Sequence, residues 1–186
     1  MSKEKRKRIH RNVVLPQIID EQAYTINASS SNAKKTIVFI ENLNIEVWID
    51  KHYQNRVYHG SDDGSVRDDI DYDNIEPLLI KSFKHLLYYS LKHKSFVFVN
   101  HPPKFVHNLR IVLKELINDD KFCNIVVEYH FINLNTIEVT LVTAFYGNDF
   151  KMSNGQYGIE FDGYYSKLIH FSNYKIIEID NYEYVD

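Results

Sequence analysis

Cysteine is nearly absent from this 186-residue chain. Cys123 stands alone, which excludes an intrachain disulfide framework and any zinc site built on cysteine pairs. A reducing, cytoplasmic compartment is the expected setting. Only six glycines and four prolines occur, too few for a collagen-like or Pro/Gly-rich disordered chain. No apolar run approaches the roughly 18–20 residues that a membrane-spanning helix needs, so no membrane association is expected. The basic start is followed by VVLPQII, which Pro16 and Gln17 break, so the apolar region of a signal peptide is missing. Charge of one sign is lacking too: 22 basic and 25 acidic residues give a net −3, unlike the clustered positive charge of proteins that coat nucleic acid. The phosphate-binding loop, the dinucleotide fingerprint, HExxH and GxSxG are all absent, and no cofactor is expected.

What is present is apolar and aromatic material in quantity, 44% and 14% of the chain. That is enough for a sizeable core at this length. Asn, Ile, Lys and Tyr together exceed a third of the residues, a bias that AT-rich coding would produce without any functional message. Charge is unevenly placed. Residues 1–12 carry six basic groups against one acid, and the segment Asp62–Glu76 carries seven acids against Arg67 alone. Residues 1–33 read as a basic and polar tail, loosely attached or disordered, and 34–186 as a single α+β domain.

The hydrophobic patterning gives that domain its elements. TIVFI (36–40) and LNIEVWI (43–49) are strand-sized, β-branched runs joined by a short link, as in a hairpin. From Ile75 the apolar residues Leu78, Leu79, Phe83, Leu86, Leu87 and Leu91 recur at helical spacing. Asn74 is the expected N-cap, Pro77 the third helical residue, and the helix runs to about His93. SFVFV (95–99) predicts a strand. Residues 104–118 are ambiguous between helix and strand, with Leu109, Val112, Leu113, Leu116 and Ile117 spaced for a helix. NIVVEYHFI (124–132) and IEVTLVTAF (137–145) predict an antiparallel hairpin, Gly147–Gly163 a loop, and KIIEID (175–180) a closing strand. The class is α+β, a mostly antiparallel sheet with one or two packed helices.

Titratable chemistry concentrates in a polar stretch before the helix. His52, Arg56, His59 and Arg67 fall within 16 residues. Cleavage of a phosphodiester without metal needs a base for the 2′-hydroxyl, an acid for the leaving 5′-oxygen, and cations on the non-bridging oxygens. Histidine serves either proton role near neutrality. These four are also ordinary residues for a solvated loop. The neighbouring carboxylates would suit magnesium or calcium with His52 and His59, but their spacing departs from an EF-hand, and acids before a helix suit its dipole. No metal is expected. His93 falls at the C-terminal end of the helix's core stripe and His85 at its edge, both structural positions.

The hairpin adds a second group. A turn centred on Leu134–Asn135 would pair His130 with Val139, Glu128 with Leu141, and Val126 with Thr143. Glu128 then becomes a diagonal neighbour of Thr143, within reach of a shared ligand, with His130 further along; a one-residue slip would reverse one strand's faces. NHPPK (100–104) only loosely approaches the Asn-Pro-Pro-aromatic signature of amino-methyltransferases.

The order of these features, a His/Arg segment (His52, Arg56, His59, Arg67), a helix, sheet, then a strand ending VTAF (142–145), resembles a known family. It is similar to the phage and polymorphic-toxin RNase domains grouped with barnase, EndoU, the colicin RNases and RelE, over residues 45–146. The resemblance implies RNA as partner and His52, Arg56 and Thr143 as catalytic positions, with His59 and Arg67 beside them. The hairpin geometry adds Glu128 and His130 as expected substrate-binding residues. The chain departs from the pattern in about forty further C-terminal residues and in its acidity. Two functions are therefore expected: a metal-independent, toxin-like RNA endonuclease, or a small acidic binding protein (inhibitor, immunity or accessory) without catalysis. In the second, segment 62–76 would cover a basic protein partner.

Overall fold

A computed structural model describes residues 33–40, 43–50, 53, 72–101, 108–118, 121–148 and 150–184. Among these, nine strands form one sheet: β1 (Ala33–Ile40), β2 (Leu43–Asp50), β3 (Val99–Asn100), β4 (Ile111–Asn118), β5 (Lys121–Asn133), β6 (Thr136–Tyr146), β7 (Tyr157–Asp162), β8 (Tyr165–Ser172) and β9 (Lys175–Glu183). Their order is β1-β2-β6-β5-β4-β7-β8-β9, with β3 beside β5. The pairs β2–β6, β4–β7 and β3–β5 are parallel. The other five are antiparallel. One long helix, α1 (Tyr72–Lys92), covers one face. The class is α+β with a mostly antiparallel sheet, as the patterning predicts.

Helix α1 buries Ile75, Leu78, Leu79, Phe83, Leu86 and Tyr89 against β-sheet residues such as Val47, Leu113, Ile125, Val127, Leu141 and Phe161. Each such side chain contributes about 1.5–3 kcal/mol by leaving water. Three expectations for this helix need correction. It begins at Tyr72, so Asn74 is inside it. Pro77 therefore lies in the second turn, where its missing N–H leaves the Asp73 carbonyl without its helical donor. Leu87 and Leu91 point to solvent, at 42% and 87% exposure, while His85 and Ser82 are buried in their place. Burial of His85 works because its Nδ1 lies 2.7 Å from Ser166 Oγ, which Tyr89 Oη also meets at 2.8 Å. At the helix end, His93 Nε2 meets Asp180 Oδ2 at 2.7 Å, and Lys92 meets the same oxygen.

The β5–β6 hairpin turns at Leu134–Asn135 as expected, with Asn133 opposite Thr136, but its register differs from the expected one. On both strands the odd-numbered residues are the apolar ones: Val127 and Tyr129 on β5, Ile137, Val139 and Leu141 on β6. Pairing odd with odd is incompatible with a two-residue turn at Leu134–Asn135, which sets odd against even. An extra residue at Ile132 reconciles the two. His130 thus stands opposite Glu138, and Glu128 opposite Thr140, not Val139 and Leu141. A second bulge at Val142 restores the predicted pairing of Val126 with Thr143 and turns Ala144 into the core.

Three other segments depart from expectation. Residues 111–118 form a strand and not a helix, because Ile111 and Leu113 enter the core while Val112 is buried on the opposite face. With both faces covered, the apolar run loses the alternation that marks a strand. Of SFVFV only Val99 joins the sheet, although Phe96 and Phe98 are core residues. β7 lies inside the stretch read as a loop. There Gly158 takes the place of a side chain: a Cβ would sit 3.1 Å from the Val112 carbonyl and 3.1 Å from Met152 Cε. No helix among the described residues is long and apolar enough to cross a membrane.

Candidate functional site

The face of the sheet away from α1 carries polar residues in two rows. Strand alternation that sends Ile45, Val47, Val127, Tyr129, Ile137 and Val139 into the core sends their neighbours the other way. Register then aligns Glu46 (β2), Glu138 (β6) and His130 (β5) in one row, and Trp48, Thr140 and Glu128 in the next. Beyond the second row stand Asn108 and Arg110, just before β4. Four charged or polar members are buried: Glu128, His130, Glu138 and Thr140.

Glu128 is the centre of this group. At 2% exposure its carboxylate accepts from Arg110 Nε at 2.8 Å on one oxygen. The other oxygen accepts from Asn108 Nδ2 at 2.7 Å and lies 3.3 Å from His130 Nε2. Burial alone would raise its pKa, but the hydrogen bonds from His130, Arg110 and Asn108, with the Arg110 charge, outweigh it and hold the carboxyl below its usual range. Glu128 is therefore an ionised anchor. With both oxygens engaged, it acts through what it positions. A proton on His130 Nε2 facing that carboxylate leaves the Nδ1 lone pair as the basic atom of the imidazole. Arg110, with its side chain 54% exposed, contributes only Nε to Glu128 and presents the rest of its guanidinium at the surface. Thr143 is half-buried opposite Val126, three residues along β6 from Thr140, because the bulge at Val142 replaces the expected diagonal placement beside Glu128.

Of the three residues singled out in the hairpin, Glu128 and His130 meet, while Thr143 stands further along β6 opposite Val126. His52, Arg56, His59 and Arg67 lie outside the described residues. Asn108 and Arg110 are not legible in the sequence, because they lie inside the stretch 104–118, which is ambiguous between helix and strand. Sequence reasoning also missed Glu46, Glu138, Trp48 and Thr140. The signal for these was the alternation in NIEVWI and TIEVTL, where Glu, Trp and Thr fall between the apolar core positions. Among the described residues, no group of three or more His, Cys, Asp or Glu is arranged to hold a metal ion. A hollow of about 620 Å³ lies elsewhere, along α1, lined by residues including Lys81, Lys84, Tyr164 and Tyr184. Comparison with known protein families, with curated proteins and with solved structures finds no match to this chain.

Proposed function

We propose that this chain is a metal-independent RNA endonuclease whose acid–base centre is His130, positioned by Glu128 and flanked by Arg110 and Thr143. The observation that carries this reading is the pinning of a buried imidazole by an ionised, triply hydrogen-bonded carboxylate that also holds a half-exposed arginine. In the reaction, the 2′-hydroxyl loses its proton to His130 Nδ1 and attacks phosphorus. The bond from phosphorus to the 5′-oxygen breaks, that oxygen takes up a proton, and a 2′,3′-cyclic phosphate forms. The Arg110 guanidinium offsets charge on the non-bridging oxygens, and Thr143 orients the phosphate. His52, Arg56, His59 and Arg67 remain candidates for the second proton role and for further phosphate contacts.

One observation favours the second reading, an acidic binding protein without catalysis. His130 is 6% exposed and Glu138 5%, so substrate would have to displace covering groups to reach the imidazole. Inducible expression in a bacterial host separates the two. The endonuclease reading expects growth arrest and fragmented RNA, both relieved by His130→Gln and reduced by Thr143→Val. Normal growth with intact RNA on expression of the unaltered chain removes the catalytic reading.

A further inference from the structure

One buried side chain joins the two segments that build the Glu128 centre. Asn100 is 5% exposed and stands opposite His130 in the parallel pairing of β3 with β5. Its Nδ2 donates to the Tyr129 carbonyl at 2.9 Å and to the Leu109 carbonyl at 3.2 Å. Its Oδ1 accepts from the Leu109 N–H at 2.7 Å. Tyr129 lies between Glu128 and His130, and Leu109 lies between Asn108 and Arg110. A single carboxamide thus ties the backbone bearing the carboxylate and the imidazole to the backbone bearing the two residues that hold that carboxylate.

Leu109 precedes the first ladder pair of β4, Ile111 with Val127, so strand pairing among the described residues does not hold its backbone groups. A carboxamide offers a donor and an acceptor as a peptide group does, and Asn100 meets Leu109 as a neighbouring strand would. Packing holds this segment weakly: Leu109 is 37% exposed and the Arg110 side chain 54%. Residues two apart in an extended chain point the same way, and Asn108 and Arg110 both reach Glu128. The Leu109 backbone therefore sets where both of them arrive.

We propose that Asn100 is a positioning residue of this centre, fixing Leu109 so that Asn108 and Arg110 meet the Glu128 carboxylate beside His130. What this does for catalysis rests on the endonuclease reading of His130; the placement of the clamp does not. Among the described residues, Glu128 is faced by Asn108 and Arg110 from the segment before β4 and by His130 on its own strand. Thr140 stands opposite it on β6, with Glu138 opposite His130. Arg110 is the permanent cation of the group. With Asn108 and Arg110 displaced, burial, which raises the carboxyl pKa, is opposed by the His130 hydrogen bond alone.

Carbon-13 NMR titration of the Glu128 carboxyl tests this in the unaltered chain and in Asn100→Ala and Arg110→Ala, each shown to be folded by circular dichroism. Asn100→Ala is expected to move the titration to higher pH. Adding Arg110→Ala to it should then move the titration much less than Arg110→Ala does alone. An Asn100 that only satisfied buried backbone groups would lower stability and leave the titration in place, which overturns the proposal. A second measurement needs no variant. Hydrogen exchange of the Asn100 side-chain amide and of the Leu109 N–H should be slow in the unaltered chain. Fast exchange of either overturns the proposal, even where Asn100→Ala fails to fold. Folded Asn100→Ala should cleave single-stranded RNA about tenfold or more slowly than the unaltered chain, and equal rates overturn the proposal. An unaltered chain that leaves RNA intact removes the endonuclease reading instead, and the Glu128 titration then decides the role of Asn100.

Discussion

Replacing Glu128 with Gln keeps the shape of the side chain and removes its charge, and its cost can be worked from the three contacts. A hydrogen bond to a charged group contributes about 1.5–3 kcal/mol when shielded from water, which applies to Asn108 at 2.7 Å. The Arg110 contact is discounted to about 0.2–1 kcal/mol because that side chain is more than half exposed. The His130 contact, long at 3.3 Å, adds about 0.5–1 kcal/mol. The amide also turns an N–H₂ group towards at least one of these donors. Glu128→Gln is therefore expected to destabilise the fold by about 2–5 kcal/mol at pH 7, lowering the urea midpoint by about 1–2.5 M. The pH dependence fixes the cause. A carboxyl whose pKa is lower folded than unfolded stabilises above its unfolded value, and this is lost as pH falls through the folded value. The stability gap between the unaltered chain and the Glu128→Gln variant should thus narrow progressively as the pH falls below about 4.5. A midpoint shift below about 0.3 M at pH 7, or a gap that is constant with pH, would refute an ionised anchor.

Three further outcomes follow from the fold. Burial, with the nearby Lys81 and Lys84 charges, lowers the His85 pKa to about 4. The unfolded chain binds this proton from about pH 6.5 downwards and the folded chain does not, so stability should fall by on the order of 3 kcal/mol between pH 7 and pH 4. His85→Gln should remove that part of the acid sensitivity, read by urea titration at the two pH values. Gly158→Ala forces a methyl against the Val112 carbonyl and should cost about 1–3 kcal/mol in thermal or urea unfolding. Tyr174, with φ of 63° in the two-residue turn after Asn173, is strained for a residue with a Cβ. Tyr174→Gly should stabilise by about 1 kcal/mol, seen as a higher melting temperature.

Sequence patterning is most legible where polar residues alternate with apolar ones or apolar residues follow one helical stripe. NIEVWI in β2, TIEVTL in β6 and the helix from Ile75 onward can be read for that reason. The stretch around Ile111–Leu113 cannot, because both its faces are buried and period 2 disappears. The register of β5–β6 is a conflict between turn length and apolar alternation, and only the bulge at Ile132 resolves it. That bulge matters for the site. It sets Glu128 opposite Thr140 and His130 opposite Glu138, so polar residues meet polar residues on the outer face. Leu87 and Leu91 fit the helical stripe by spacing, yet the helix is rotated to bury His85, Ser82 and Tyr89. The reason is tertiary: Ser166 and Tyr182 on the strands accept what a wheel diagram would leave outside. Arg110 is out of reach of such patterning, since its role depends on the strand that follows it.

The proposed acid–base cleavage of RNA by the Glu128–His130–Arg110 group is open to direct assay. Its most direct test is incubation of the purified chain with single-stranded RNA in the presence of a chelator, followed by analysis of the product ends. Fragments ending in 2′,3′-cyclic phosphate are expected, with His130→Gln reducing the rate by about a hundredfold or more while the protein stays folded. RNA left intact by the unaltered chain, or cleaved equally well by the His130→Gln chain, would contradict it.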